Sequence, residues 1–486
     1  MSSSTISEAA SVNLLRQAGV KYRDQVALSD AHSETSYSTL FNRADEIGKA
    51  IRQLGIPKHS IIVLDDLTPY ELIHCFWACS LHGYIAFPLN TRFPFDKLLT
   101  TVAHVKPALI ITNRSFSKFT SMNLMQLLAR DPEAARVLLE PIDPESGVSL
   151  LMTSGSSSTG KIVQHSHANH TFSAQGSNEN IGLESGDRWL VSLPLYHVGG
   201  LSILHRTALV GACTVIPGNN ESIGKAVETY LPTHLSLVST QFQRLLDHFD
   251  EGGSPPGIKA ILLGGSALSE HLVKRGLDHG LPLYLSYGST EMASQITTTG
   301  RLQNPYYSPL SSGKVLSGRD LLISYKGEVL VRGRTLAQGY LIENKVVDLR
   351  DNDGWFHTGD VGYLDFSQNL TITGRLDNLF ISGGENIQPE HIEAALLKDP
   401  RVEVAVVIPQ ESSEFGFRPI AFLKLTGPGE SQEGICSRLR SMLPSYMIPT
   451  EFYHLPDQLL TGQLKTPRKE LEAFCLDPNN HLHSLP

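Results

Sequence analysis

The sequence lacks any leader with a basic stretch and an apolar core. Its first twelve residues are largely Ser and Ala, and no secretory signal is expected. No run approaches the ~20 apolar residues that a membrane helix needs, so membrane insertion is not expected either. Cysteine is scarce, five in 486 residues, at positions 75, 79, 213, 436 and 475. An odd, scattered set fits a reducing compartment, and Cys75 and Cys79, one helical turn apart with no second pair, read as core residues. The net charge of -9 argues against nucleic acid as the main partner, since phosphate-backbone binders need a basic surface. Internal repeats and low-complexity tracts are missing too. These absences leave a cytoplasmic protein whose length requires two or three domains.

What is present is an alternation of helices with short, nearly all-apolar strands. The spacing predicts helices over 37–54, 70–82 and 95–104, and strands over 60–64, 84–88 and 108–112. After residue 147 the pattern resumes with strands over 148–152, 189–192, 213–216, 235–238, 260–263 and 283–286, a helix from about 200 and another over 240–249. Apolar strands of this kind belong to parallel sheets covered on both faces, which makes the N-terminal part α/β. Between 313 and 374 the pattern changes to short β segments over 320–324, 328–332, 361–365 and 370–373, a smaller β unit. From 377 a third composition mixes strands over 402–408 and 419–425 with helices over 389–397 and 433–443, a small α+β domain. Pro389 suits the first turn of its helix, with Glu390 and Glu393 near the positive dipole end. The expected domains are 1–376 and 377–486.

The stretch 153–161 (TSGSSSTGK) is built to hold phosphate. Eight residues that are all Gly, Ser or Thr can turn backbone N–H groups and hydroxyls inward, and Lys161 supplies a point charge. Gly155, Gly160 and Lys161 fit the spacing of a Walker A loop, but Ile162 stands where that motif needs a Ser or Thr. A second reading is the phosphate loop of adenylate-forming enzymes, matched at Thr153, Ser154, Gly155, Ser156, Ser157, Lys161, Ser166 and His167. There Ser158 and Ile162 replace Gly, and Gly160 replaces Pro. A flexible Ser/Gly surface loop is the third reading.

Four further segments follow in order: YGSTE at 287–291, GWFHTGD at 354–360, GRLDN at 374–378 and TGQLK at 461–465. With the phosphate loop they resemble the ordered core motifs of the adenylate-forming (acyl-CoA synthetase) superfamily over almost the whole chain. PLYHVGGLS at 194–202, LSLVSTQ at 235–241, EMASQIT at 291–297, GRLDNLFISGGENIQPE at 374–390 and EFGFRP at 414–419 are similar to the o-succinylbenzoate:CoA ligases of menaquinone and phylloquinone synthesis. GGENI at 383–387 is also found in aryl-acid CoA ligases such as those for halobenzoates, the alternative within the superfamily.

The resemblance implies an AMP-forming acid–thiol ligase that makes an acyl-adenylate and passes the acyl group to coenzyme A. ATP and CoA are substrates, with Mg²⁺ as the metal and an aromatic dicarboxylic acid as partner; oligomeric state is left open. It assigns Thr153, Ser154, Gly155, Ser156, Thr159 and Lys161 to the β and γ phosphates, Thr290 to the α-phosphate and Glu291 to Mg²⁺. Tyr287 with Gly264, Gly265 and Gly288 would border adenine, Asp360 the ribose, and Arg375 the nucleotide at the domain junction. Asp377 would be the hinge, Gly383 and Gly384 the edge of the pantetheine tunnel, and Lys465 the catalytic lysine, although Leu464 stands where the family carries Gly. His197, Ser294 and Gln295 would line the acid pocket. Arg244, off the apolar stripe Phe242, Leu245, Leu246 and Phe249 of its predicted helix, would meet the ring carboxylate.

Overall fold

The computed structural model describes residues 13–129, 139–153, 160–254, 257–265, 268–303, 310–426, 431–459, 468–477 and 480–485. Among them, four sheets carry the fold. The largest, nine-stranded, runs from edge to edge through Lys314–Val315, Ser294–Thr298, Leu283–Ser289, Ala260–Leu263, His234–Leu237, Arg188–Leu190, Cys213–Val215, Val26–Ser29 and Glu34–Ser36. From Leu283–Ser289 to Val26–Ser29 the pairing is parallel, and both flanks are antiparallel.

An eight-stranded sheet runs through Lys345–Val347, Gly339–Ile342, Ile162–Ser166, Gly147–Met152, Ile85–Pro88, Ile61–Leu64, Leu109–Ile111 and Ser121–Met122. Its parallel half holds the apolar strands predicted from sequence, and Ile62, Val63, Ala86, Phe87, Leu109 and Ile110 are fully buried. Helix Pro69–His82 packs beside it, and Tyr37–Gln53 packs on that helix while touching Val26–Ser29 and Glu34–Ser36 of the nine-stranded sheet. Thr68 and Glu71 close a reciprocal cap at the start of Pro69–His82, just before Pro69 at the first helical position.

The phosphate loop connects two antiparallel strands, Gly147–Met152 and Ile162–Ser166. A Walker A loop leads from a strand directly into a helix, so this connectivity removes the Walker reading. The helix comes later, at His167–Ile181, and packs against Val198–Val210 while touching strands of both large sheets. Its hydroxyl and amide side chains are buried because they grip neighbouring backbone: Asn169 donates to the carbonyls of Arg334 and Leu336, and Ser173 to that of Ala293.

The four-stranded antiparallel sheet (Arg319–Ile323, Glu328–Gly333, Phe356–Leu364, Leu370–Arg375) is the expected small β unit, with its third strand beginning five residues before the predicted start. After the short 3₁₀ turn Leu376–Asn378 a five-stranded sheet follows, with a core of its own around Ile392, Leu396, Val407, Ala421, Leu423 and Leu439. Glu390 and Glu393 do more there than face a helix dipole. Both bind Arg468 at the start of the helix Arg468–Leu476, Glu390 at 3.0 Å. No helix among the described residues is long and apolar enough to cross a membrane.

Candidate active site

The neck of the phosphate loop is fixed by backbone. Thr153 N–H donates to the Lys161 carbonyl at 2.8 Å, and Lys161 N–H returns to Thr153 Oγ1 at 3.2 Å. Ser154, Gly155, Ser156 and Thr159 lie outside the described residues. Lys161 Nζ sits 4.6 Å from the centre of the Tyr340 ring, and the Tyr340 hydroxyl donates to Glu291 Oε1 at 2.8 Å. The chain thus brings Thr153, Lys161 and Glu291 together through Tyr340, a residue the sequence reading passed over. Burial, with the Glu291 charge second, raises the Tyr340 pKa and keeps it a hydrogen-bond donor. Among the described residues Glu291 Oε2 carries no hydrogen bond, which leaves a hard oxygen ligand beside the lysine. The neighbouring Thr290 carbonyl accepts from His165 Nε2 at 2.8 Å.

A second cluster gathers on Asp360. Tyr287 Oη donates to its Oδ2 at 2.5 Å and Arg375 Nη1 to its Oδ1 at 2.7 Å, so both oxygens have partners. Burial and the adjacent carboxylate push the Tyr287 phenol well above its ordinary pKa. Gly264 and Gly265 follow the strand Ala260–Leu263, while Gly288 lies in Leu283–Ser289 opposite Gln295.

The third cluster holds buried positive charge. Arg206, in the helix Val198–Val210, is 1% exposed. Its Nη2 donates to Ser294 Oγ at 3.0 Å and to Gln295 Oε1 at 2.9 Å, its guanidinium carbon lies 5.0 Å from the Trp189 ring centre, and Nε has no partner. Arg319, 5% exposed, donates to the carbonyls of Gln295 at 2.6 Å and Ser317 at 2.7 Å. Neither guanidinium hydrogen-bonds a carboxylate among the described residues, although the charge of Glu179 acts on Arg319. Burial lowers the Arg206 pKa to about 9, helped by the charge of Arg319, and burial lowers Arg319 to about 10. Ser294 itself stands at φ +116°, a conformation side chains rarely adopt. Ser294 and Gln295 therefore do come together, on a guanidinium that is not Arg244. Arg244 is exposed on its helix and bonded to neither, because its position off the apolar stripe faces solvent. His197 precedes Val198–Val210 as its N-cap residue, its ring 4.7 Å from that of Tyr196.

A fourth group is a cluster of buried histidines. His170 stacks on His205 at 4.3 Å and neighbours His165 at 4.9 Å, with His167 close by. His165 Nδ1, His167 Nε2 and His170 Nδ1 have no hydrogen-bond partner. Burial lowers the pKa of His165 and His167 to about 4, that of His205 to about 3 and that of His170 well below its ordinary value, so all four are neutral near pH 7.

At the junction with the five-stranded sheet, Arg375 Nη2 lies 3.5 Å from Asp377 Oδ2, and Asp377 is exposed. Gly383 and Gly384, at φ +56° and +87°, form the two-residue turn of the hairpin Phe380–Ser382 to Glu385–Ile387, which requires positive φ at both positions. Lys465 lies outside the described residues.

Arg206 escaped the sequence reading although its signal was there: an arginine amid Leu201, Ile203, Leu204 and Ala208 is a charge placed in an apolar helix.

A family model described as AMP-binding enzyme matches residues 15–341. A protein named 2-succinylbenzoate–CoA ligase, from Bacillus licheniformis, is 30% identical over 470 residues, covering 92% of this chain and 96% of its own length. The solved o-succinylbenzoate CoA synthetase of Bacillus subtilis in complex with its acyl-adenylate intermediate superimposes with a TM-score of 0.84 at 27% identity, over 98% of this chain and 99% of that one. The same synthetase in complex with ATP and magnesium ion gives 0.81 at 29% identity, over 91% and 95%. Together with the mixed α/β architecture and the motif order, these matches establish that the chain belongs to the AMP-binding enzyme family.

Proposed function

We propose that this protein is an AMP-forming ligase that converts 2-succinylbenzoate, ATP and coenzyme A into o-succinylbenzoyl-CoA, the thioester of menaquinone and phylloquinone synthesis. The observation that carries the choice of acid is Arg206. A buried guanidinium with only neutral partners is costly, and an incoming carboxylate relieves that cost. The succinyl carboxylate is the one to be activated, which leaves the ring carboxylate for the Arg206 side of the pocket, with Ser294 and Gln295 as its wall and His197 near its mouth. Arg206 replaces Arg244 in this role. A simple benzoate has no second anion to offer.

In the first half-reaction an oxygen of the succinyl carboxylate forms a bond to the α-phosphorus of ATP, and the bond to pyrophosphate breaks. No side chain serves as nucleophile; placement and charge neutralisation do the work. Thr153, Ser154, Gly155, Ser156, Thr159 and Lys161 hold the β and γ phosphates, and Thr290 donates to the α-phosphate. Glu291, with its uncommitted oxygen, fits Mg²⁺, which when bound supplies further neutralisation of phosphate charge. Tyr287, Gly264, Gly265 and Gly288 border adenine. Asp360 receives the ribose hydroxyls, and Arg375 lies beside it. In the second half-reaction the CoA thiol loses its proton and attacks the acyl carbonyl, and AMP leaves.

The chain works as two lobes, 1–376 and 377–486. Asp377 is the hinge, Lys465 neutralises charge at the α-phosphate during adenylation, and Gly383 and Gly384 border the pantetheine path. The test is a reaction with ATP, Mg²⁺ and CoA on o-succinylbenzoate, benzoate and 4-chlorobenzoate, following pyrophosphate and thioester. Pyrophosphate and thioester with the first acid alone support the proposal; equal turnover of the benzoates points to a general aryl-acid ligase.

A further inference from the structure

What aims Asp360 is not in the machinery above. The preceding residue, Gly359, stands at φ +72°, in the left-handed region, and a Cβ there would come 2.8 Å from Arg375 Nη2. Its amide does not pair across the sheet. It donates to Glu328 Oε1 at 3.0 Å, where strands Glu328–Gly333 and Phe356–Leu364 slip register between Glu328 and Leu330. A bulge of this kind re-aims the next side chain. Glu328 Oε2 meets His357 Nδ1 at 3.0 Å, and His357 Nε2 meets Asp351 Oδ2 at 3.1 Å. Asp351 is held in turn by the amides of Asp353 and Trp355, and Arg332 stacks 4.3 Å from the Trp355 ring centre. Thr358 completes the frame, donating to the Val329 carbonyl at 2.6 Å and accepting the Asp360 amide at 3.0 Å.

The geometry points to Glu328, clamped by His357 and Asp351, as a positioning residue for the nucleotide: it fixes the Gly359 turn and thereby the angle at which Asp360 meets the ribose. This rests on the reading of Asp360 as the ribose carboxylate. The clamp carries its own pH dependence, because only imidazolium can donate from both ring nitrogens; the neutral ring turns a lone pair toward one of the two carboxylates. The bond to Glu328, opposed by partial burial and aided by Asp351, holds His357 above its ordinary pKa of 6.5. The other charged groups around it are Arg332, stacked on Trp355, and Asp360 with Arg375 beyond Gly359. The clamp is complete at low pH and opens as pH rises through the raised pKa.

Initial rates of pyrophosphate release by the full chain, with ATP varied at saturating acid and CoA, test this on Glu328→Ala, His357→Gln and Asp360→Ala. Glu328→Ala is expected to raise the KM for ATP roughly tenfold, the effect of removing a charged acceptor from a half-buried amide. kcat and the KM for the acid should stay within about twofold. His357, exposed enough to be replaced without unfolding, should give in His357→Gln a roughly threefold higher KM for ATP, the size of an exposed ion pair. That value should be flat between about pH 6.5 and 9, where the wild-type KM climbs. If Asp360→Ala raises the KM for ATP while Glu328→Ala leaves it alone, or shifts the acid KM equally, the clamp is structural only and the inference fails. An Asp360→Ala enzyme with unchanged KM for ATP overturns the ribose reading and the inference with it. Should Glu328→Ala not fold, the His357→Gln pH profile decides: a slope matching wild type overturns the clamp.

Discussion

The corner around Asp360 and the pocket around Arg206 handle buried charge in opposite ways. Asp360 has both oxygens engaged, by Tyr287 and by the cation Arg375, so its charge is compensated before any ligand arrives. Arg206 and Arg319 have only hydroxyl, amide and carbonyl oxygens. A ligand at the first site must exchange partners, which costs little and gains little; a ligand at the second brings the missing counter-ion, which strengthens in a low-dielectric site. The lesson is that, on the proposed function, the nucleotide corner is suited to geometry and the acid pocket to charge. Loss of a partner should therefore be mild in one and severe in the other.

The largest effect is expected from the lysine proposed to act in adenylation. Lys465→Ala should lower adenylate formation by orders of magnitude, as removal of an electrostatic donor at the reacting phosphate does. Transfer to CoA from supplied acyl-adenylate should stay nearly intact. Equal loss in the two half-reactions would remove the lysine from its assigned step.

The buried histidines touch the surrounding elements: His165 Nε2 donates to the Thr290 carbonyl, and His205 precedes Arg206 in its helix. Because burial depresses these pKa values from 6.5, the unfolded chain takes up protons first as pH falls. Stability is thus fully present above about pH 6.5 and falls as pH drops towards 4. Urea midpoints between pH 7.5 and 4.5, conditions chosen to span about that window, should decline steeply, and His205→Phe should decline less. Parallel slopes would mean that other groups govern acid lability.

The smallest effect is expected at Tyr287. Tyr287→Phe removes one neutral donor from Asp360 and should change the KM for ATP only about two- to tenfold, since Arg375 remains. A change beyond that range would mean that the corner depends on charge balance as much as the acid pocket does.

Much of this was legible in the chain because single-period patterns are local. The apolar strands Ile61–Leu64, Ile85–Pro88 and Ala260–Leu263 and the capped helix Pro69–His82 were found to within a residue or two, as their burial is uniform. The helix His167–Ile181 was not. It is covered on every side and uses Asn169, Ser173 and Asn178 to grip backbone, so it shows no apolar stripe and only its Ser166 cap is visible. Motif residues such as Glu291, Tyr287 and Asp360 stood out through their neighbours in sequence, and the fold joins Glu291 to Tyr340 and Asp360 to Tyr287 and Arg375. Tyr340 and Glu328 did not stand out, since each acts on a residue far along the chain, while Arg206, a charge visible in an apolar helix, was passed over. Arg244, expected at the ring carboxylate, is exposed on its helix: helical periodicity says which side chain leaves the core, not what lies beyond.

The most direct test of the charge-led acid pocket is the ratio of kcat/KM for o-succinylbenzoate to that for 4-oxo-4-phenylbutanoate, which lacks the ring carboxylate, measured on wild type, Arg206→Met and Arg244→Ala. The account predicts that Arg206→Met lowers the ratio roughly 10- to 150-fold, the span for hydrogen bonds to a charged group, and that Arg244→Ala leaves it unchanged. A ratio that holds in Arg206→Met, or collapses in Arg244→Ala, would contradict it.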